Sequence, residues 1–284
     1  MALSKISYTS IHRVLHNRTF KVRLSAVWKD IYDELGIGEI SDRHIILSPE
    51  DHDRLREWVL REAGTDPLTT KVSGDRLVAA SLVRNEKWAT DAVFSGMMHV
   101  NVKSGVVPLA QGDAATPPGT LLSVSVADII TKHVDTIVLV ENGIVARYWH
   151  KCRIPAELSN ALMVYRGHGA DGRTVRQWVK QLPCTIKKIG YFDFDPAGLG
   201  MAIDYEMDAI LIPDPLDNQL IKGINNKPES HVEQLMHRPG LGEQLPESCH
   251  EVWKWMTSEG RKCAVTQERM TEMDRPLRLL SIID

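Results

Sequence analysis

The chain has 284 residues, 43% hydrophobic and 25% charged, a length that suits two domains and a composition that excludes wholesale disorder. Its four cysteines, Cys152, Cys184, Cys249 and Cys263, form no C-x-x-C pair, which argues against a disulfide framework or a structural zinc site and for reduced thiols in the cytoplasm. The formal net charge of -3 is unevenly spread, so it does not exclude a nucleic-acid partner.

The opening segment MALSKISYTSIHRVLHNRTF has no apolar core of the signal-peptide kind, and no apolar run of about 18 residues follows it, so neither export nor a membrane span is expected. Residues 1–29 carry six Lys or Arg and no acid. Leu24, Val27, Trp28, Ile31 and Leu35 fall at the spacing of an amphipathic helix over 24–35, with Gly36 as its stop. RHIIL reads as a short strand. A second helix starts at Ser48, takes Pro49 as its first residue and runs through Leu55, Trp58 and Val59 toward Gly64. These elements make residues 1–104 a smaller, helical amino-terminal domain that binds DNA or a partner and is compatible with a winged helix. The Gly, Pro and Ala-rich stretch SGVVPLAQGDAATPPGTLL marks a linker over 105–122.

From residue 123 to 284 apolar runs alternate with helical periods. DTIVLV precedes a helix over about 144–151, ALMVY precedes a helix over 172–182, and KKIGYFDFD and AILIP follow. The 172–182 helix puts Val175, Trp178, Val179 and Leu182 on one face and Arg173, Arg176 and Lys180 on the other. Strands reading as unbroken apolar runs and alternating with helices predict an α/β fold with a mainly parallel sheet. Beyond residue 213 a Pro-rich stretch reads as an irregular insertion, and LRLLSII as a last strand. Residues 144–192 hold nine Lys or Arg against two acids, and residues from 193 onward nine against seventeen.

The segment IGYFDFDPAG carries the chemistry. In a strand, residues two apart share a face, so Asp193 and Asp195 converge while Phe192 and Phe194 anchor the other side. Pro196 ends the strand, placing the acids at the carboxyl edge where α/β sheets bind ligands. Paired carboxylates repel unless a hard cation neutralises them; the competing account is two turn acids ahead of a helix. Glu141 ends DTIVLV in the same way. Arg166 and His168 alternate with Gly167 and Gly169 after ALMVY, a loop that lets backbone approach a phosphate, or a generic turn. With Arg173 and Arg176 they are the candidate DNA contacts.

An acid ending one strand and a later D-x-D resemble the Toprim domain of topoisomerases, bacterial-type primases and nucleases. The wording VENGI, VYRGHG, YFDFDPAGLG and the late TQER is most similar to the branch holding the topoisomerase VI A subunit and the JetD nuclease subunit of Wadjet plasmid-defence systems. The likeness covers about residues 123–284. It departs at Asn142, which stands between Glu141 and Gly143 where many Toprim domains have the glycine at once. The resemblance implies a Rossmann-like sheet, Mg²⁺ or Mn²⁺ held by Glu141, Asp193 and Asp195, assistance from Glu268, hydrolysis of DNA, a homodimer, and partnership with an SMC-type, condensin-like complex. Two alternatives stay open: a transesterase using Tyr32, which otherwise packs beside the 24–35 stripe, and a non-catalytic DNA-binding subunit. A haloacid-dehalogenase phosphatase also uses D-x-D, but Ala197 and the preceding βαβ unit disfavour it. No G-x-x-x-x-G-K-[ST] occurs, so ATP hydrolysis is unsupported.

Overall fold

The computed structural model describes residues 3–90, 96–217, 223–258 and 261–283, and the chain divides into two compact units, Met1–Ser95 and Gly96–Asp284. In the first unit, α1 (Lys5–His16), β1 (Lys21–Arg23), α2 (Ala26–Leu35), β2 (Glu39–Ser41), β3 (His44–Ile46) and α3 (Pro49–Ala63) are followed by the short α4 (Arg76–Leu82). The helices are joined by a small antiparallel sheet in the order β1-β3-β2. Local chemistry sets the helix ends. The Ser25 side chain accepts from the Trp28 N–H, and Gly36, at φ 56°, closes α2 by donating to the Tyr32 carbonyl. Ser48 and Asp51 form a reciprocal capping box, with Pro49 in the first turn and left-handed Gly64 beyond the last. Ile11, Ile31, Ile45, Leu55 and Trp58 form the core of this unit, and half-buried Tyr32 packs against it.

The boundary falls ahead of the expected linker. Strand β4 (Met97–Val102) belongs to the large sheet of the second unit, and residues 105–122 contain the hairpin strands β5 (Val106–Val107) and β6 (Ala114–Ala115) and lead into β7 (Leu122–Ser125). The glycines and prolines of this stretch turn the chain back on the sheet instead of separating two domains.

The second unit continues with β8 (Thr136–Val140), α5 (Gly143–Arg147), β9 (Leu162–Tyr165), α6 (Gly169–Gln181), β10 (Lys187–Tyr191), α7 (Pro196–Asp204) and β11 (Ala209–Pro213). The sheet order is β12-β11-β10-β8-β9-β4-β7, where β12 is Leu277–Ser281. Its four central strands, β11, β10, β8 and β9, are parallel, and β12, β4 and β7 are antiparallel to their neighbours. The fold is thus mixed α/β. Ile137 to Val140 are all fully buried, as an apolar run covered on both faces must be.

Three expectations change. The helix expected over 144–151 stops at Arg147 and passes into a 3-10 turn, Trp149–Lys151, that buries Trp149. The helix expected over 172–182 starts earlier, at Gly169, and ends at Gln181. The stretch read as an irregular insertion ahead of helical segments is itself helical from Pro228 onward among the described residues. It holds α8 (Pro228–His237), α9 (Leu241–Gln244) and α10 (Glu247–Thr257), with Pro228 in the first turn of α8 and Pro246 capping α10. Proline lacks an N–H that the first helical turn would leave unpaired, so these residues start helices instead of breaking them.

Ser48→Ala removes the acceptor of the Asp51 N–H and should lower the stability of the first unit by about 1 kcal/mol. Chemical denaturation followed by tryptophan fluorescence reads this, and an unchanged midpoint would show that the capping box contributes nothing.

Candidate functional site

β8 and β10 are paired in parallel, with Val140 opposite Tyr191, so the residues that follow them leave the sheet side by side. Glu141 is the first residue past β8, and its N–H donates to the Tyr191 carbonyl. Its side chain reaches both neighbours: Oε1 accepts from Arg166 Nη2 at 3.0 Å, and Oε2 from the Asp193 N–H at 3.4 Å. Glu141, Asn142, Gly143, Ile144, Arg166, His168 and Asp193 line an open cleft of about 390 Å³ at the carboxyl ends of the parallel strands.

The D-x-D pair does not sit on one strand face. β10 ends at Tyr191, and Phe194 pairs with Val265 outside the sheet. The two acids therefore take different positions. Asp193 opens onto the cleft. Asp195 is buried and caps α7: its Oδ1 accepts from the Gly198 N–H and its Oδ2 from Gln234 Nε2, both at 2.7 Å. Gly198 is required by this turn, because a Cβ there would lie 2.0 Å from the Asp193 carbonyl oxygen.

α11 (Gln267–Glu272) closes the site from the far end of the sequence. Gln267 is fully buried. Its backbone N–H donates to Asp193 Oδ1 at 2.8 Å, its Oε1 accepts from the Asn142 N–H at 3.0 Å, and its Nε2 donates to the Tyr191 carbonyl. One residue thus fixes the ends of β8 and β10 through its side chain and the orientation of the Asp193 carboxyl through its backbone. Sequence reasoning quoted TQER for its glutamate and missed Gln267 as the connecting residue. Exposed Glu268 accepts from Asn142 Nδ2 at 2.5 Å, and Asn142 Oδ1 caps α5 through the Ile144 and Val145 N–H groups. The asparagine that departs from the familiar pattern therefore links the turn after Glu141 to Glu268. Gln234, which holds Asp195 from α8, carries no sequence signal.

Of the candidate phosphate contacts, Arg166 and His168 border the cleft. Arg166 makes an ion pair with Glu141, and its Nε is buried without a partner. His168 is exposed at the start of α6, between Gly167 at φ 70° and Gly169 at φ 56°. A Cβ at Gly167 would lie 2.8 Å from the Gly172 nitrogen, so only glycine fits where the loop folds onto the helix. Arg173 is exposed one turn along α6. Arg176 is a further turn away, where it stacks over the Tyr205 ring at 5.1 Å and donates to the Asp204 carbonyl. Tyr32 lies in the other unit, half-buried against its core.

The family described as "Domain of unknown function (DUF7281)" is matched over residues 95–279. The chain belongs to that family. The matched span contains the whole cleft, Glu141 to Glu268, so the site is built within the DUF7281 domain. A search of curated proteins finds no match.

Electrostatics single out Asp193 within the DUF7281 domain. Burial, then the charges of Glu141, Asp195 and Glu268, push its pKa up to about 7, against the pull of the Gln267 N–H. Among the described residues no group of three or more His, Cys, Asp or Glu is arranged as a ready metal cage: Glu141 is turned to Arg166, and Asp195 is engaged by Gly198 and Gln234. The donor chemistry nevertheless fits a hard divalent cation. The groups around Asp193 are carboxylate oxygens, and the crowding that raises its pKa is what such an ion relieves.

Because Asp193 holds its proton to about pH 7 in the folded chain and only to about 3.8 when unfolded, the metal-free protein should lose stability as pH rises between those values. The loss reaches on the order of 4 kcal/mol above pH 7. Asp193→Asn keeps the acceptor for Gln267 and stays neutral. Denaturation in EDTA at acid and alkaline pH should show the variant gaining on the wild type as pH rises; parallel profiles would contradict the buried-charge account.

Proposed function

We propose that this protein is a divalent-cation-dependent DNA endonuclease of the Toprim kind, hydrolysing phosphodiester bonds at the cleft of the second unit. The observation that carries this reading is the Asp193 carboxyl, half-buried in the cleft just past the carboxyl end of a parallel strand, with Glu141, Asp195 and Glu268 acting on it. Carboxyls perturbed in this way, by burial together with specific neighbouring charges in a cleft, cluster at functional sites.

Asp193 and Glu141 would hold the cation, Mg²⁺ or Mn²⁺, from the floor of the cleft. Asp195 would complete the set: each of its oxygens accepts one hydrogen bond and keeps a second lone pair. Such an ion, when bound, neutralises charge on the phosphoryl group and lowers the pKa of water. The remaining work falls to the chain. Asp193 must give up its proton near neutrality before it can act as a ligand. Gln267 holds that carboxyl in place, and Asn142 keeps Glu268 beside it, a position from which Glu268 could assist a second ion. Arg166 is a cation at the cleft wall that can pass from Glu141 to a phosphate oxygen. His168 and Arg173, on the opening of α6, would meet the neighbouring backbone. Arg176, tied to Tyr205 and Asp204, supports α6 instead of contacting DNA.

The likeness of VENGI, VYRGHG and YFDFDPAGLG to JetD and topoisomerase VI A subunits supports further parts of this reading: a homodimer in the cytoplasm that works with an SMC-type, condensin-like complex in plasmid defence. The helix, strand and hairpin sequence of the first unit supports a winged-helix-like DNA-binding role, although only one helix, α2, separates β1 from the β2–β3 hairpin. The packing of Tyr32 against the first unit's core favours hydrolysis over transesterification.

Supercoiled plasmid incubated with Mg²⁺ or Mn²⁺ should be nicked or linearised by the wild type and by Tyr32→Phe, with at least a hundredfold less product from Glu141→Ala or Asp193→Ala, on the order expected for a lost ligand or charge-stabilising group. Mg²⁺ should raise the melting temperature of the wild type, more at about pH 8 than at about pH 6, and not that of Asp193→Asn. Wild-type cleavage by Asp193→Ala, or a protein–DNA adduct lost in Tyr32→Phe, would overturn the proposal.

A further inference from the structure

A second chemically distinctive cleft lies in the first unit, between the last turns of α1 and the segment after α3. It encloses about 490 Å³ and is lined by Thr9, His12, Arg13, His16, Asn17, Leu68, Thr69 and Lys71. Four of these side chains are cations or can become so, three are neutral hydrogen-bonding groups, and none is acidic. Its lining side chains are exposed apart from half-buried His12, but hydrogen bonds fix the two walls that carry them. The Tyr8 hydroxyl donates to the Thr70 carbonyl at 2.6 Å, and the Thr65 hydroxyl to Thr70 Oγ1 at 2.8 Å, which pin the facing wall to α1 and to the end of α3. The His12 and His16 rings stack at 5.7 Å, which holds both imidazoles on one face of α1.

The charges are close enough to repel. Burial and the nearby His16 and Lys71 lower the pKa of His12. Arg13 and His16 have one structural reason to be there, since cations offset the carbonyl end of a helix. That reason does not extend to Lys71, which comes from the opposite wall, and the acids on either side of it in sequence are engaged elsewhere, Asp66 by Arg56 and Asp75 by the Leu77 and Val78 N–H groups. Like charges gathered from two elements around a cavity, with hydroxyl and amide donors between them, fit an oxyanion with several acceptor oxygens.

We propose that the His12, Arg13, His16 and Lys71 cleft binds phosphate groups of a nucleic-acid backbone, giving the first unit its own DNA contact. This deepens the DNA reading above but does not depend on the acid cluster.

The test measures binding of a fluorescent DNA duplex to the full chain in EDTA, across a salt series, for the wild type, for Arg13→Ala/Lys71→Ala, and for a control, Lys254→Ala/Lys262→Ala, which removes two exposed lysines from the acidic carboxyl-terminal region. Losing two phosphate contacts should reduce the salt-dependence slope by about 2 and the affinity at moderate salt by about tenfold or more, with the control close to wild type. His12 and His16 imidazole NMR signals should shift with duplex at concentrations where inorganic phosphate alone leaves them unmoved. Unchanged slope and affinity in Arg13→Ala/Lys71→Ala would overturn the proposal, as would histidine signals that respond to inorganic phosphate but not to duplex. Plasmid cleavage by the wild type, scored separately, tells the two readings apart. Cleavage with no binding defect in the variant removes this cleft alone, whereas a binding defect with no wild-type cleavage removes the nuclease and leaves the cleft.

Discussion

Holding the half-buried Asp193 carboxyl beside three other carboxylates is the constraint on which the second unit's site is organised. Burial alone disfavours its charge, and Glu141, Asp195 and Glu268 add to the cost. The surroundings offset that cost with directed hydrogen bonds rather than with a second buried cation. The Gln267 N–H meets Asp193, the Gly198 N–H and Gln234 meet Asp195, Asn142 meets Glu268, and Arg166 meets Glu141. Each acid thus has its own donor, and Arg166 is the one full positive charge among them. Neutral donors can orient a carboxylate without cancelling its charge, which leaves the cleft with a negative potential that a cation can use.

The same bonds explain why the site draws on such distant parts of the chain. Glu141 and Asp193 are adjacent because β8 and β10 pair, but strand pairing ends one residue short of Glu141 and two short of Asp193. Gln267 takes over from the ladder there, bonding the backbone of Tyr191 on one side and of Asn142 on the other. The isolated bridge between Phe194 and Val265 sets the position of α11. Segments 126 residues apart, Asn142 and Glu268, then meet at hydrogen-bond distance. A loose α11 would free Asp193 and Glu268 together, so the precision of the cleft depends on packing at Met270 and Val265 as much as on the acids.

Legibility in the sequence followed the range of the interactions. The ends of α2 and α3 were readable because Ser25, Gly36, Ser48, Pro49 and Gly64 act on backbone groups within four residues. β8, β9 and β11 were readable because burial on both faces leaves unbroken apolar runs, and β10 by the apolar end of KKIGY. β4 and β7 were not, since the partner of Val100 is Val164, and nothing local in MMHVNV announces it. Glu141 and Asp193 stood out as acids at the ends of such runs. The strand alternation expected to align Asp193 with Asp195 fails because β10 stops at Tyr191, and Pro196, read as a strand terminator, is also the first residue of a helix that Asp195 caps. Gln267 and Gln234 were illegible for a plainer reason: a glutamine's role depends on what it meets, and both meet residues far away in sequence.

The division of labour within the acids follows from their partners. Asp195 is engaged at both oxygens by groups that also hold α7 and α8 in place, so its removal would disturb the fold as well as the charge. Glu141 is held by an arginine at the cleft wall and by one long backbone contact. Asp193 is held at Oδ1 by a single N–H. The two acids with the lighter tethers are also the two that line the cleft, and a ligand competing for carboxylate oxygens displaces less at them than at Asp195. Substitutions at Glu141 and Asp193 therefore report on chemistry, whereas a loss at Asp195 would mix chemistry with the loss of a helix cap.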